Sequence, residues 1–490
     1  MEKTCRGCKI CNAQELCFTK SDPLRENKKL LTARKPHIVL IRPRECTGVT
    51  EFSLGMGYVA RSLLNSGFDI TTLCRDLTCD STSIFREKLK ALPADIYAIG
   101  GMYGSFLDFI EICNLIRELH PGVPIILGGA LPTSEPEHVL LKTGADFVCV
   151  GPSDETIIEL AQALIDGSDP RDFHGICFAD GKEFVNTKAR IQPRFLGGGQ
   201  STWPAWEVFD GHAYTHGTMY YPFTSNDIAA PILTARGCPY ACNFCFQPMN
   251  YARRPLDDVF NEMEWLIDRY DVNAFYIEDD LFMLDRKRVI SFCEQVHSRN
   301  LRIKFTATGR FNIVDKELLI ALKEAGCVTL FYGGEAADDE TLEQMKKKIT
   351  VEQMREGVRL TREAGIFARI GFMFGQPGET AKHLDTTVNF LKEIAYGEFE
   401  PRVIYGCIPF PSTELFRECV SKGLLKNEED LFQRFRFQER LLDQMPVNMT
   451  AIEDTNPMTL LNQANQELLA YYEEKDTGWM RTIQSDLIVD

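Results

Sequence analysis

The sequence contains no unbroken apolar stretch that approaches about 18 residues, so no transmembrane helix is expected. Its first residues, MEKTCRGCKICNAQELC, lack the apolar core of a signal peptide. Cationic residues are the minority, with 54 Lys and Arg against 70 Asp and Glu, which gives a net charge of −16. We therefore expect a cytoplasmic protein without a membrane span, and the acidic balance argues against nucleic acid as a partner.

No low-complexity tract or short repeat interrupts the 490 residues. The hydrophobic fraction of 44% and the charged fraction of 25% are ordinary for a globular protein, and the length suggests roughly two to four domains. The 17 cysteines, in a reducing compartment, are better explained as core residues and metal ligands than as disulfides.

Residues 1–35 are polar and contain several cysteines, which predicts a small N-terminal arm. In residues 36–165, short apolar runs such as HIVLIRP, ADIYAIGG and PIILGG alternate with helix-like segments. This alternation predicts a parallel, doubly wound, Rossmann-like sheet, whose strands end in glycines. Ligands bind such sheets at the carboxyl ends of the strands, where glycine allows a close approach. Residues 166–225 are predicted to be a linker.

A second alternating region spans residues 226–412. Its probable strands are ILTA, NAFYIED, RIKFTAT, VTLFYGG, ARIGFMFG and RVIYGCIP. Six β/α units predict an open or partial (β/α)6 barrel. Residues 413–490 are predicted to be mainly helical and to recognise the substrate. The fold class is therefore α/β, with a mainly helical C-terminal region.

The segment RGCPYACNFCFQPM places three cysteines at C-x3-C-x2-C spacing: Cys238, Cys242 and Cys245. Thiolates are soft ligands that suit iron–sulfur clusters. Three of them can hold three irons of a [4Fe–4S] cube and leave the fourth iron open for a substrate group. The alternatives are a structural zinc site with a distant fourth ligand, or cysteines that do not share a site.

This motif resembles the signature of the radical S-adenosylmethionine (SAM) superfamily. The resemblance implies that the open iron binds the amino and carboxylate groups of SAM, and that reduction cleaves SAM to methionine and a 5′-deoxyadenosyl radical. It continues through YIEDDLF, YGGEAADDETL and GFMFGQPGET, although Ala336 and Ala337 replace the usual Ser-Gly pair. Arg310, after the third strand, either contacts a carboxylate or is an ordinary surface arginine. The implied SAM-binding residues are Phe244, Glu278, Arg310, Glu335, Gly375 and Gly378.

The N-terminal region resembles the B12-binding domain of cobalamin-dependent radical SAM enzymes, on the segments SLGMGYVARSLLNSGFDI, GGALPTSEPEHVL and VGPSDETIIEL. The D-x-H-x-x-G motif, whose His ligates cobalt in other B12 domains, is absent, so no His ligand from this domain is expected. The alternative is a Rossmann domain that has lost its ligand. The implied cobalamin-binding residues are Gly55, Tyr103, Ser105, Gly128, Gly129, Gly151 and Ser153.

The N-terminal arm carries four further cysteines at C-x2-C-x2-C-x5-C spacing: Cys5, Cys8, Cys11 and Cys17. Four thiols this close could complete a zinc site or a second iron–sulfur site, which would order a short polar segment. The alternative is a flexible arm that binds nothing.

The resemblance implies a methyltransferase with a [4Fe–4S] cluster, SAM and cobalamin, which passes a methyl group from SAM through methylcobalamin to an unactivated carbon. It also implies an electron donor of the flavodoxin or ferredoxin type. The substrate would be a small molecule or a peptide or protein side chain, such as a glutamine or arginine. One alternative is oxidative cyclisation or rearrangement without methyl transfer, and another is a non-catalytic iron–sulfur or cobalamin sensor.

Overall fold

A computed structural model describes the chain over residues 34–44, 51–191, 202–216, 223–224, 226–394, 404–435 and 444–474. The chain forms two compact units. The first comprises residues 1–219, 228–231 and 248–272, and the second comprises residues 220–227, 232–247 and 273–490. Among the described helices, none combines the length and the apolar character that a membrane span requires.

The first unit is built on one sheet. Its strands are β1 (His37–Arg42), β2 (Asp69–Cys74), β3 (Ile96–Gly100), β4 (Ile125–Gly128), β5 (Phe147–Cys149), β6 (Ile176–Asp180) and β7 (Glu183–Asn186). They pair in the order β2-β1-β3-β4-β5-β6-β7. The first five are parallel, whereas β6 and β7 extend the sheet antiparallel. The strand order reverses between β1 and β3, which is where a parallel sheet opens a crevice for ligands.

Helices between these strands cover the sheet. They are α1 (Leu54–Asn65), α2 (Arg75–Thr78), α3 (Thr82–Lys90), α4 (Phe106–Leu119), α5 (Ala130–Ser134), α6 (Pro136–Thr143) and α7 (Thr156–Asp166). Strand residues such as Val39, Ile99 and Leu127 are buried, because both faces of the sheet are covered. The Ser53 hydroxyl caps α1 by accepting from the Met56 N–H. The predicted Rossmann-like sheet is confirmed.

The strands that follow in the chain include those of the predicted barrel. They are β8 (Ala229–Ile232), β9 (Ala235–Arg236), β10 (Ala252–Arg253), β11 (Ala274–Ile277), β12 (Lys304–Gly309), β13 (Cys327–Glu335), β14 (Phe367–Phe374) and β15 (Tyr405–Gly406). Six of them form a sheet in the order β15-β14-β13-β12-β11-β8. The pairs from β11 to β15 are parallel. The structure therefore confirms the partial (β/α)6 barrel. The last five strands overlap the predicted runs, whereas the first, predicted at ILTA (residues 232–235), lies earlier, at Ala229–Ile232.

The remaining helices alternate with the barrel strands and then continue alone. They are α8 (Gly211–His216), α9 (Leu256–Tyr270), α10 (Arg286–Ser298), α11 (Lys316–Glu324), α12 (Asp339–Gln344), α13 (Val351–Glu363), α14 (Ala381–Ile394), α15 (Glu414–Ser421), α16 (Glu428–Arg434) and α17 (Pro457–Glu474). Leu330 and Ile370 of the barrel sheet and Leu322 of α11 are buried in the core of the second unit. After β15 the described chain is mainly helical, as predicted.

Candidate active site

The cysteine loop (residues 238–245) follows β9 in the second unit. Its three thiols belong to Cys238, Cys242 and Cys245, of which the first two are partly exposed and the third is exposed. The buried residue Asn243 anchors the loop: its N–H donates to the Met345 carbonyl (3.1 Å), and its carbonyl accepts from the Leu415 N–H (2.9 Å). Its side-chain amide donates to the Gln344 carbonyl (3.3 Å). The thiols therefore stand on a loop whose middle is fixed.

Two acids that follow β11 fix the chain just before the first cysteine. Asp279 is buried and accepts from the N–H groups of Thr234 (2.6 Å) and Ala235 (2.9 Å). Asp280 accepts from the Gly237 N–H (2.8 Å). Burial raises the pKa of Asp279 to about 6, against the opposing effect of its hydrogen-bond donors. These two acids hold the backbone that leads into the cysteine loop, a role that the sequence did not reveal.

Glu278, the first acid of the same run, lies directly after β11 and is half-buried. Its backbone N–H donates to the Ile232 carbonyl (2.9 Å), which ties the end of β11 to the end of β8. The residue therefore stands at the carboxyl edge of the barrel sheet, where a ligand would bind. Its contact with SAM stays a prediction.

The chemistry of the three thiols fits an iron–sulfur cluster. Although part of the Cys245 residue is exposed, loss of hydration at its thiol raises its pKa, and together with the neighbouring thiols Cys242 and Cys238 brings it to about 11. Binding of iron must therefore displace the thiol protons. Among the described residues, no group of three His, Cys, Asp or Glu converges on one point as a single ion would require. A [4Fe–4S] cube does not require its ligands to converge on one point, because each cysteine ligates a different iron.

Arg310 follows β12 and is only 5% exposed. Its guanidinium carbon lies 3.8 Å from the centre of the Tyr240 ring, which belongs to the cysteine loop. Two of its nitrogens, Nε and Nη2, are buried and have no hydrogen-bond partner in the described part of the chain. An unpaired buried cation is costly, so this arrangement suits an anionic ligand such as a carboxylate. Of the two interpretations open from the sequence, the surface arginine is wrong.

Glu335 ends β13 in a strained conformation, with a φ of 68°. The register between β13 and β14 shifts at this point, between Gly333 and Glu335. The Glu335 carboxylate pairs with Lys347 Nζ at 2.6 Å, and that Nζ lies 5.9 Å from the centre of the Phe244 ring. Two predicted SAM residues, Phe244 and Glu335, are therefore joined through Lys347. The sequence did not single out Lys347, because it lies in an ordinary-looking charged run, MKKKIT.

The turn after β14 contains both glycines predicted to lie near SAM. Gly375 has a φ of 117° and Gly378 a φ of 83°, values that only glycine adopts readily. The buried carboxylate of Glu379 accepts from the N–H groups of Gly375 and Gln376, at 2.7 Å each. Burial raises the pKa of Glu379 to about 7. The turn is thus held by an internal carboxylate, and β14 lies beside β13 in the sheet.

Replacing Glu379 with glutamine is expected to remove a pH dependence of stability. The pKa of Glu379 is higher in the folded state, so the folded chain binds more protons between about pH 4.5 and 7, and stability falls as pH rises through that window. Relative to the variant, the wild type should lose on the order of 3 kcal/mol of unfolding free energy between pH 5 and 8. Anaerobic urea unfolding at both pH values measures this.

The exposed Glu363, on α13, provides the control for this measurement. Glu363→Gln should follow the wild-type pH profile. A Glu379→Gln profile that runs parallel to the wild type would mean that Glu379 is ionised throughout the window.

The carboxyl edge of the sheet in the first unit provides space for a large ligand. A Cβ added at Gly55, Gly128 or Gly151 would meet no atom within 4 Å. Met102, in the loop after β3, is 51% exposed although it is apolar. This edge coincides with the crevice beside the β1/β3 reversal. Open glycine backbone and an exposed apolar side chain suit the broad face of cobalamin.

The other predicted cobalamin residues shape this edge from within. Gly129 has a φ of 98°, and a Cβ there would lie 2.2 Å from the Gly101 carbonyl oxygen. The buried Tyr103 hydroxyl donates to Ser134 Oγ at 2.7 Å. Ser105 is fully buried, and Ser153 Oγ donates to the Gly151 carbonyl at 3.0 Å. Their contacts with cobalamin stay predictions.

The N-terminal cysteines Cys5, Cys8, Cys11 and Cys17 lie outside the described residues. The zinc site, the second iron–sulfur site and the flexible arm therefore stay open.

Both regions match known families. The Radical SAM superfamily matches residues 232–391, and the B12 binding domain matches residues 44–161. An uncharacterized methyltransferase of Pyrococcus horikoshii is 26% identical over 78% of this chain and 81% of its own length. The anaerobic magnesium-protoporphyrin IX monomethyl ester cyclase of Cereibacter sphaeroides is 31% identical over 68% of this chain and 54% of its own length.

A solved structure has a similar fold. It is the radical SAM methyltransferase TsrM from Kitasatospora setae, with cobalamin and a [4Fe–4S] cluster bound. Its TM-score is 0.71 at 18% sequence identity, and the match covers 89% of each chain. The two units therefore define an enzyme that combines a radical SAM barrel with a B12-binding domain. The chain belongs to the cobalamin-dependent radical SAM enzymes, whose cofactors are a [4Fe–4S] cluster, SAM and cobalamin.

Proposed function

We propose that this chain is a cobalamin-dependent radical SAM methyltransferase that transfers a methyl group to an unactivated carbon. One chain carries a cysteine loop that is one ligand short and a sheet edge lined with open glycines. This combination supports the proposal. When bound, the cluster and SAM supply a radical that activates the substrate carbon, and the cobalamin supplies the methyl group.

The residues of the barrel bind and orient SAM. The three loop cysteines, Cys238, Cys242 and Cys245, hold the cluster, and the buried guanidinium of Arg310 binds the SAM carboxylate. Glu335 accepts a hydrogen bond from the SAM amino group or ribose, and Lys347 holds its carboxylate in position. Phe244 and the turn at Gly375 and Gly378 contact the adenine. Glu278 completes the set at the end of β11.

The glycines of the first unit bind cobalamin. Gly55, Gly128 and Gly151 leave room for the corrin face. The sheet edge around the corrin is shaped by four further residues: Gly129, Tyr103, Ser105 and Ser153. The D-x-H-x-x-G motif is absent from the sequence, so this domain would supply no His from that motif to a bound cobalamin, which would provide the methyl group.

The C-terminal region provides the substrate side of the barrel. A Cβ at Gly406, the end of β15, would lie 2.1 Å from the Gln444 carbonyl oxygen. A Cβ at Gly375 would lie 2.9 Å from the methyl carbon of Met445. The segment 444–449 therefore packs on the carboxyl ends of the last two barrel strands. We propose that it selects the substrate, a small molecule or a peptide or protein side chain.

Two products distinguish this function from its alternatives. After anaerobic cluster reconstitution, chain loaded with cobalamin is given a low-potential reductant and SAM, without substrate. A methyltransferase should form about one S-adenosylhomocysteine per bound cobalamin, and chain without cobalamin should form none. A cyclase, the alternative suggested by the 31% identical relative, would release 5′-deoxyadenosine but no S-adenosylhomocysteine. A sensor would form neither product.

The electron donor is also a proposal. Reductive cleavage of SAM consumes one electron at the cluster, so a one-electron protein of the flavodoxin or ferredoxin type is a fitting partner.

A further inference from the structure

Two buried cations lie against the two aromatic side chains inside the cysteine loop. Arg310 is 5% exposed, and its guanidinium carbon is 3.8 Å from the centre of the Tyr240 ring. Lys347 is 8% exposed, and its Nζ is 5.9 Å from the centre of the Phe244 ring. Tyr240 stands between the first and second cysteines and Phe244 between the second and third. The two cations therefore act on different cysteines of the loop, Arg310 on Cys238 and Lys347 on Cys245.

The two cations are compensated differently. Lys347 Nζ is 2.6 Å from a Glu335 carboxylate oxygen, so this pair carries little net charge. Arg310 forms no ion pair in the described part of the chain, and its Nε and Nη2 have no hydrogen-bond partner. Asp280, which binds the Gly237 N–H just before the first cysteine, is solvent-exposed, so water screens its charge. The buried Asp279 carboxylate, which lies ahead of the loop, accepts hydrogen bonds from the Thr234 and Ala235 N–H groups. Arg310 is therefore a buried cation beside the loop with no carboxylate paired to it among the described residues.

We propose that the buried charges of Arg310 and Lys347 raise the reduction potential of the cluster, and that Glu335 opposes Lys347. Reduction transfers one electron from a low-potential donor to the cluster, which becomes one charge more negative without taking up a proton. A buried cation nearby stabilises the reduced cluster more than the oxidised one, because Coulomb interactions are strong where water is excluded. This inference requires that the chain binds the [4Fe–4S] cluster of its family. It rests on the proposed function in one respect only, which is that SAM cleavage needs the reduced cluster.

The proposal predicts shifts of opposite sign from three variants. Arg310→Gln and Lys347→Gln each remove a positive charge and should lower the midpoint potential. Glu335→Gln leaves Lys347 uncompensated and should raise it. Arg310→Lys keeps the charge but not the planar guanidinium, so its potential should stay near that of the wild type. General damage to the loop would not produce shifts in both directions.

The test is an anaerobic redox titration of the full chain with cluster and cobalamin bound and SAM omitted, with the reduced cluster followed by electron paramagnetic resonance. Lys346→Gln is the matched control, because Lys346 adjoins Lys347 but pairs with Glu414, and both side chains are about half exposed. Its potential should equal that of the wild type.

The proposal fails if Arg310→Gln and Glu335→Gln shift the potential in the same direction. It fails equally if none of the three charge-removing variants exceeds the Lys346→Gln control. The potential is measured without turnover, so a chain that forms no S-adenosylhomocysteine would reject the methyltransferase proposal and leave this one standing.

Discussion

Cys242→Ala is expected to abolish SAM cleavage and to remove the cluster. Cys242 is the central thiol of a loop that offers three ligands, and two thiolates do not hold a cube that already has an open iron. Production of 5′-deoxyadenosine should fall to background, and the iron content should fall by about four atoms per chain. Anaerobic iron analysis and product quantification measure both losses.

The control for this variant is Cys79→Ser, which changes an exposed thiol of the first unit. It should retain the wild-type iron content and SAM cleavage. A Cys242→Ala chain that still cleaved SAM would refute the assignment of the loop as the cluster site.

The same iron analysis addresses the N-terminal arm. About four irons in the wild type would make the arm a non-iron site, whereas about eight would place a second cluster there. In the second case, the double variant Cys5→Ala and Cys8→Ala should lose about four irons and keep the cluster of the barrel.

Gly129→Ala is expected to destabilise the first unit and to weaken cobalamin binding. Its Cβ would lie 2.2 Å from a backbone oxygen, that of Gly101, and its φ of 98° is unfavourable for alanine. Strain and displacement of the backbone should cost roughly 2–4 kcal/mol of unfolding free energy. The affinity for cobalamin should fall at least about tenfold, since the shifted backbone forms part of the sheet edge. Urea unfolding and titration with hydroxocobalamin measure the two effects.

The neighbouring glycine separates strain from contact with the ligand. A Cβ at Gly128 would meet no protein atom within 4 Å, so Gly128→Ala should change the unfolding free energy by less than about 1 kcal/mol. If cobalamin lies over this edge, the added methyl group should still weaken its binding. Unchanged cobalamin affinity in both variants would move the site away from these glycines.

Much of the fold was predictable because its strands are short apolar runs separated by amphipathic helices. The same pattern did not predict the hairpin of β6 and β7, which lies inside the segment predicted as a linker. The signal was present in CFADGKEFV, where Gly181 and Lys182 form a two-residue turn between two alternating strands. A single hairpin adds only a few residues to a sheet edge, so its pattern is weak beside the longer parallel strands.

The cysteines of the site were predictable because their spacing is local. The groups that support them were not, because their contacts join distant parts of the chain. Asn243 bonds to residues 344, 345 and 415, and Lys347 reaches Glu335 across a change of register. The role of Arg310 was ambiguous because its burial depends on the fold and is not visible in the sequence. That burial rules out an ordinary surface arginine.

The carboxylates of Asp279 and Asp280 fix residues 234–237 through the protein's own hydrogen bonds, so the path of the chain into the first cysteine does not depend on iron. Oxidative destruction of a cluster removes iron and sulfide, and leaves these bonds intact. We therefore expect that a chain which has lost its cluster can take up a new one from iron and sulfide without first unfolding.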